Sequence, residues 1–246
     1  LTIAQISDLH TGSFGDSNAF LDKLVAKINS LNPDVIVFTG DIVDCRSAEL
    51  KPHMASLSRL RAPMGVYSIL GNHDYATYAR KRLDEAQQQA DVDSLRMMQA
   101  RMGWRMLNNS HVILGSDSAG LVLIGVENIG EPPFKSYGDL KAAYPTLSDS
   151  RPKVLLSHNP RHWHDSIAGV DSLRIDLTLS GHTHAMQCEV GGFSPSAWRY
   201  PEWSGLYDDD MGHRLYVNIG AGEVGFPVRI GAAPEITLFT LKSANP

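Results

Sequence analysis

Residues 34–39 read Asp-Val-Ile-Val-Phe-Thr, an apolar run with no alternation of wet and dry positions. A strand of this kind needs cover on both faces, which is the condition of a strand inside a parallel sheet. Residues 1–7 and 65–70 have the same character. Between the first two lie residues 19–31, where Phe20, Leu21, Leu24, Val25, Ile28 and Leu31 recur at the spacing of an amphipathic helix. Asn32-Pro33 stops that helix. Residues 50–60 read as a second helix. This β-α-β-α-β order predicts a parallel sheet with right-handed crossovers.

Further on, residues 80–102 are charged and Gln-rich and read as one helix or two broken ones. Residues 112–114 and 121–126 suggest a hairpin turning at residues 117–120. Residues 153–157, 176–180, 214–218 and 235–241 suggest further strands, and residues 191–212 read as a loop carrying Trp198, Tyr200, Trp203 and Tyr207. With no repeat and no long linker, residues 1–246 are expected to form one domain.

A hydrophobic fraction of 43% supports a substantial core and excludes disorder. The net charge of −5 argues against nucleic acid as the main partner. Cys45 and Cys188 belong to no Cys-x-x-Cys pair, which excludes a zinc ribbon. They read as free thiols unless the fold brings them together. No apolar run reaches membrane-spanning length. The chain starts at Leu1 already inside its first strand, so an upstream segment is expected.

Each apolar strand runs straight into a polar cluster. Asp8-Leu9-His10 follows the first, Gly40-Asp41-Ile42-Val43-Asp44 the second and Gly71-Asn72-His73-Asp74 the third. His158-Asn159-Pro160 and Gly181-His182-Thr183-His184 follow residues 153–157 and 176–180. Ligands of open α/β sheets bind at the carboxyl ends of the strands, where all five clusters fall. Singly, each has an ordinary explanation: a turn-forming Asp, a structural His. Together they form a set of metal-type ligands. Imidazole mixed with carboxylate suits manganese, iron or zinc better than calcium or magnesium. The lack of thiolate disfavours a structural zinc site.

These motifs, in this order and spacing, resemble the calcineurin-like metallophosphoesterase superfamily. The tail Tyr216-Val217-Asn218-Ile219-Gly220, Phe226-Pro227-Val228-Arg229 and Pro234-Glu235-Ile236-Thr237-Leu238 is similar to its YkuE-like branch. The resemblance implies a four-layer α/β/β/α sandwich with two mixed sheets. It implies two divalent or trivalent transition-metal ions, one held by Asp8, His10, Asp41 and His184, the other completed by Asn72, His158 and His182, with Asp41 bridging. His73 would protonate the leaving oxygen or stabilise developing charge, and Asp74 would orient its ring. Asp44 would hold its loop. The implied reaction is hydrolysis of a small phosphomonoester or phosphodiester by a metal-bound hydroxide. The alternatives are a pyrophosphatase acting on a nucleotide-linked lipid at the membrane, and a non-catalytic protein-binding scaffold. The branch also implies a membrane-associated or exported protein rather than a purely cytoplasmic one.

Relatives often read Gly-Gly-Gln after the last His, whereas this chain has Ala185-Met186-Gln187, which predicts a bulkier pocket wall. Arg161 and His162 are candidates to grip a substrate phosphate; otherwise Arg161-His162-Trp163-His164 is a solvated loop whose Trp163 packs locally. Trp198, in the aromatic stretch to Tyr207, is a candidate to stack a base or hold an acyl chain; ordinary packing over the sheet is the alternative.

Overall fold

The computed structural model of this protein describes all residues except 117–119, 133, 147 and 243–246. The turn expected at residues 117–120 therefore falls, save for Gly120, outside the described residues. In chain order the elements are β1 (Thr2–Ile6), α1 (Ala19–Ser30), β2 (Val35–Phe38), α2 (Met54–Leu57), β3 (Val66–Ser68), α3 (Glu85–Arg101), β4 (Trp104–Met106), β5 (Ser110–Leu114) and β6 (Leu121–Gly125). There follow α4 (Leu140–Ala143), β7 (Lys153–Leu156), α5 (Arg161–Ser166), β8 (Leu177–Ser180), β9 (Gly205–Asp208), β10 (Arg214–Val217) and β11 (Thr237–Thr240).

The strands form two mixed sheets. One runs β11-β1-β2-β3-β4, parallel except for β11; the other runs β5-β6-β7-β8-β10-β9, parallel except at its two edges. The unbroken apolar runs now have a cause. Along β2, Ile36 and Phe38 face α1 and α3, while Val35 and Val37 face the second sheet. Along β7, Val154 and Leu156 face the first sheet, and Leu155 faces Trp163 and Ile167. Helices, sheet, sheet and helices therefore stack in four layers, and strands wet on neither side need no alternation. The sheets are also tied by a buried polar link: Gln5 Nε2 donates to Ser180 O at 2.9 Å and to Thr39 Oγ1 at 3.1 Å.

Several local expectations need correction. The helix expected over 50–60 is a 3-10 helix, Ser47–His53, followed by α2. Pro52 sits inside the stretch, where it withholds an N–H and disfavours an α-helix. Of residues 80–102, α3 takes only the part from Glu85. Asp84 caps it, accepting from Gln87 N at 2.8 Å and donating its own N–H to Gln87 Oε1 at 3.1 Å. β4 was not foreseen; it is three residues long at a sheet edge, too short for periodicity to register. Residues 191–212 are not all loop: they hold a 3-10 helix, Pro195–Trp198, and β9. Arg161-His162-Trp163-His164 is not a solvated loop but the start of α5, while Trp163 packs as expected, in the core. No helix of the described residues is long and apolar enough to cross a membrane.

Leu156 is fully buried between the sheets. Leu156→Ala should cost about 2–5 kcal/mol, read as a lower midpoint in urea unfolding at fixed metal concentration. A shift below about 0.5 kcal/mol, the size of an ordinary surface change, would contradict the tight sheet-on-sheet packing.

Candidate metal centre

The five strand-end clusters converge at one edge shared by the two sheets. Backbone pairing draws the loops together: Asp8 N donates to Gly40 O at 2.9 Å, His10 N to Asp41 O at 3.1 Å and Gly181 N to His158 O at 3.0 Å. The turns are tight. Asp8, His10, Asp41, His182 and His184 all have positive φ, between 47° and 78°, which non-glycine residues adopt at a cost. The glycines of the motifs supply clearance. A Cβ on Gly71 would overlap the Asp41 carboxylate, and one on Gly181 would overlap Ser7 and Asp8.

Asp74 organises this edge. It is buried, and its carboxylate accepts four backbone N–H groups: Gly71 and Asp41 at 2.9 Å on Oδ2, and Ile42 at 2.9 Å and Val43 at 3.3 Å on Oδ1. It clamps the loop after β2 to the loop after β3. It does not orient the His73 ring. That ring donates from Nδ1 to the Asp44 carbonyl at 2.7 Å, stacks on Tyr78 at 4.1 Å and meets His10 edge-on at 4.8 Å. Asp44 thus acts through its backbone on His73 and through its side chain on His10, whose Nδ1 lies 2.9 Å from Asp44 Oδ1.

The remaining nitrogens and oxygens face one another. His158 Nδ1 donates to Thr39 O at 2.8 Å, so a neutral His158 presents a lone pair at Nε2. That lone pair meets Asp41 Oδ2 at 3.1 Å, Asn72 Oδ1 at 3.1 Å and His182 Nδ1 at 3.2 Å. Beyond Asp41, His10 Nε2 lies 3.7 Å from the same Oδ2 and 3.0 Å from His184 Nε2, which is 3.3 Å from Asp8 Oδ1. Two groups thus offer convergent ligand atoms: Asp8, His10 and His184, and Asp41, His158 and His182. A third convergence, His10, Asp44 and His73, is the hydrogen-bonded orientation just described.

These inward-facing, buried donors could hold a metal ion. Burial disfavours the charged ring of His158, but Asp41 and Asp8 outweigh it and push the ring up to about 9. Burial and the neighbouring His158 push His182 down to about 3. Burial would raise Asp41, yet His158, His73 and His10 hold it well below the usual carboxylate range. A metal ion fits where the proton on His158 otherwise sits, because the donor set is imidazole, carboxylate and amide oxygen aimed inward.

Two residues that hold this geometry, Tyr200 of the aromatic stretch and Arg229 of the tail motif, were not expected to touch the ligands. His182 Nε2 meets Tyr200 Oη at 2.8 Å, and Tyr200 Oη is 3.4 Å from Glu131 Oε1. With Nδ1 turned to the cluster, the ring donates to the phenol and the phenol donates to Glu131. Burial and Glu131 push Tyr200 up to about 12, which keeps it a donor. Arg229 Nη2 lies 3.2 Å from His184 Nδ1, and the guanidinium is anchored on the carbonyls of Gly222, Ile219 and Ala232.

The model of the family described as calcineurin-like phosphoesterase matches residues 1–186. The chain belongs to that family. It is 30% identical to the metallophosphoesterase YkuE of Bacillus subtilis, over 99% of this chain and 79% of that protein. It is also 30% identical to the UDP-2,3-diacylglucosamine pyrophosphatase LpxG of Chlamydia trachomatis, over 97% of this chain and 82% of that protein. The fold matches the sulfate thiohydrolase SoxB of Thermus thermophilus with a TM-score of 0.54 at 13% identity, over 90% of this chain and 52% of that one. The chain spans 53% and 59% of two longer curated relatives that it also matches.

The family's Gly-Gly position is occupied here by Ala185 and Met186, with φ of 50° and 46°, a backbone that glycine adopts freely. Met186 does not thicken the pocket wall: its side chain is 54% exposed. Gln187 reaches instead to the tail, donating to Phe226 O at 2.8 Å and accepting from Val224 N at 2.6 Å. Of the substrate candidates, His162 is turned into the core against Ser157 Oγ at 2.9 Å, and burial lowers it to about 4. Arg161 reaches Asp165 at 3.4 Å. Trp198 is 82% exposed and meets Phe193. Cys45 and Cys188 are free.

Two clefts flank the cluster. One of about 740 Å³ includes His73, Arg46, Arg80, Lys81, Phe226 and Pro227 in its lining. The other, of about 710 Å³, is lined by Asn72, Tyr75, Tyr78, Arg82, Phe134 and Lys135 among others. Tyr200→Phe removes the partner of His182 Nε2. It should weaken manganese binding at the His158–His182 side by about 10–100-fold, measured by titrating metal-free protein. An unchanged isotherm would show that the phenol does not fix that ring.

Proposed function

We propose that residues 1–246 act as one catalytic domain that hydrolyses a phosphoester or phosphoanhydride with two transition-metal ions. The carrying observation is Asp41 Oδ2, which lies 3.7 Å from His10 Nε2 and 3.1 Å from His158 Nε2, between the two ligand groups. Asp8, His10 and His184 would hold one ion, and Asn72, His158 and His182 the other, with Asp41 shared. When bound, such a pair polarises a phosphoryl group and acidifies water. Manganese, iron and zinc all suit the donor set.

The chain's own residues divide the remaining work. His73 stands beside the ligands without belonging to either group. Its N–H donates to Asp41 Oδ1 at 2.8 Å and its Nδ1 is committed to Asp44 O. The ring therefore has Nε2 to offer, and in its imidazolium form, with Nδ1–H still held by Asp44 O, it gives the Nε2 proton to the leaving oxygen or donates a hydrogen bond to it. Asp74 fixes the loop that carries Asn72 and His73. Tyr200 and Arg229 hold His182 and His184 at their outer edges.

Similarity to LpxG supports a finer reading, in which the bond cleaved is the pyrophosphate of a nucleotide-linked lipid at a membrane. An assay of metal-loaded protein against nitrophenyl phosphate, its diester and a nucleotide-diphospho-lipid separates the readings. Inactivity on the lipid alone sinks the finer one, and inactivity on all three with metal bound returns the chain to a binding role.

Asp41→Asn should lose bound metal and activity together, measured by elemental analysis and turnover. His73→Asn should keep its metal content while turnover falls by about 10²–10⁴-fold. A His73→Asn protein that emerges empty of metal would overturn the division between holding and reacting.

A further inference from the structure

Half of the exposed large apolar side chains among the described residues lie on two loop segments beside the centre. Met186 is 54% exposed, Val190 69%, Phe193 49% and Trp198 82% on the first segment; Phe226 is 52%, Val228 48% and Ile230 55% on the second. The segments are joined. Cys188 and Ile230 form a parallel bridge, Val190 and Phe193 close a turn over Gly191-Gly192, and Phe193 meets Trp198 at 6.0 Å. Gln187 holds the carbonyls of Phe226 and Val228 at 2.8 and 3.2 Å. The apolar side chains thus stand on a braced scaffold that runs from Trp198 to the His73 cleft, where Phe226 and Pro227 form one wall. A contiguous apolar surface of this kind marks an interaction site.

The charge across the cleft points to the occupant. Arg80, Lys81 and Arg82 are consecutive and exposed in a chain of net charge −5, and Arg80 and Lys81 line the cleft together with Phe226 and Pro227. Two of the acids in that lining are engaged elsewhere: Glu49 accepts from Asp44 N and Cys45 N, and Asp44 faces His10. Glu223 remains in the lining. Aromatic and aliphatic tips next to a short basic run match a bilayer surface with anionic headgroups, the tips entering the acyl boundary and the cations meeting the phosphates.

We propose that residues 186–198 and 226–230, with Arg80, Lys81 and Arg82, dock the protein on an anionic lipid surface with the His73 cleft facing the headgroups. The proposal rests on the phosphohydrolase reading for what the cleft does there, but not for the docking itself. Docking places the reacting centre at headgroup depth, so a substrate anchored by acyl chains need not leave the bilayer.

The test is sedimentation of the intact chain with vesicles of phosphatidylcholine mixed with phosphatidylglycerol, and with phosphatidylcholine alone. The wild type should sediment with the mixed vesicles, less so as salt rises, and brominated lipids should quench Trp198 emission. Trp198→Phe should abolish most of that quenching. Val190→Ser combined with Phe193→Ser should weaken sedimentation by about tenfold or more, with hydrolysis of soluble nitrophenyl phosphate unchanged. Arg80→Ala or Lys81→Ala should each weaken binding to mixed vesicles by about fivefold without affecting vesicles of phosphatidylcholine alone. A wild type that hydrolyses the soluble ester but ignores both vesicles overturns the docking and spares the hydrolase. Binding to vesicles without any hydrolysis does the reverse. Concentration-dependent self-association abolished by the Val190/Phe193 double substitution also overturns the docking, since the patch is then an interface between two copies.

Discussion

Asp41 is a carboxylate buried among imidazoles, and most of the structure near it exists to keep it there. Burying an anion costs several kcal/mol unless partners offset it. Here the offset is distributed. His158 and His10 approach one oxygen, and the His73 amide donates to the other. Asp74, also buried, lies one layer out, where burial and the neighbouring Asp41 push its carboxyl up to about 7 against the lowering effect of four backbone N–H groups from the loops that deliver Asp41, Asn72 and His73. Neither carboxylate could sit in a packed core without the other's loop. The left-handed backbone at Asp8, His10, Asp41, His182 and His184 is tolerated because the surrounding hydrogen bonds over-determine it.

The two sheets are the reason that one edge can hold so much polarity. Their facing side chains form a dry layer, and the Gln5 bridge to Ser180 and Thr39 fixes how the strand ends align. His158 crosses this junction: its ring belongs to the loop after β7, yet its Nδ1 is held by Thr39 at the end of β2. The centre is therefore an interface between sheets, and its geometry follows from their packing rather than from any one loop.

Outward from the centre the protein turns apolar. The braced segments at residues 186–198 and 226–230 are held by the same Gln187 that follows the histidine motif, which ties the motif to the apolar lip. The Gln187 amide satisfies three backbone groups of the tail, and the backbone bridge between Cys188 and Ile230 adds to that link.

Much of this was written in the chain order. Runs such as Val35-Ile-Val-Phe38 demand cover on both faces, and polar clusters immediately after them must lie at strand ends. From that came a parallel α/β sheet with metal-type side chains at its strand ends, while the four-layer sandwich and the individual ligands, Asn72 among them, came from the resemblance to the calcineurin-like family. Short elements escaped, because β4 and β9 are too brief for a period to show and Pro52 broke the expected helix into 3-10 turns. The roles of individual atoms also escaped. Which nitrogen of His182 faces the cluster is set by Tyr200, 18 positions away, and His184 is backed by Arg229, 45 positions away. The sequence by itself determined which residue types gather at the strand ends, since burial pattern and spacing are local properties. Only the tertiary structure decided how each ring is turned and held, because hydrogen-bond partners are chosen by proximity in space, which no spacing along the chain records.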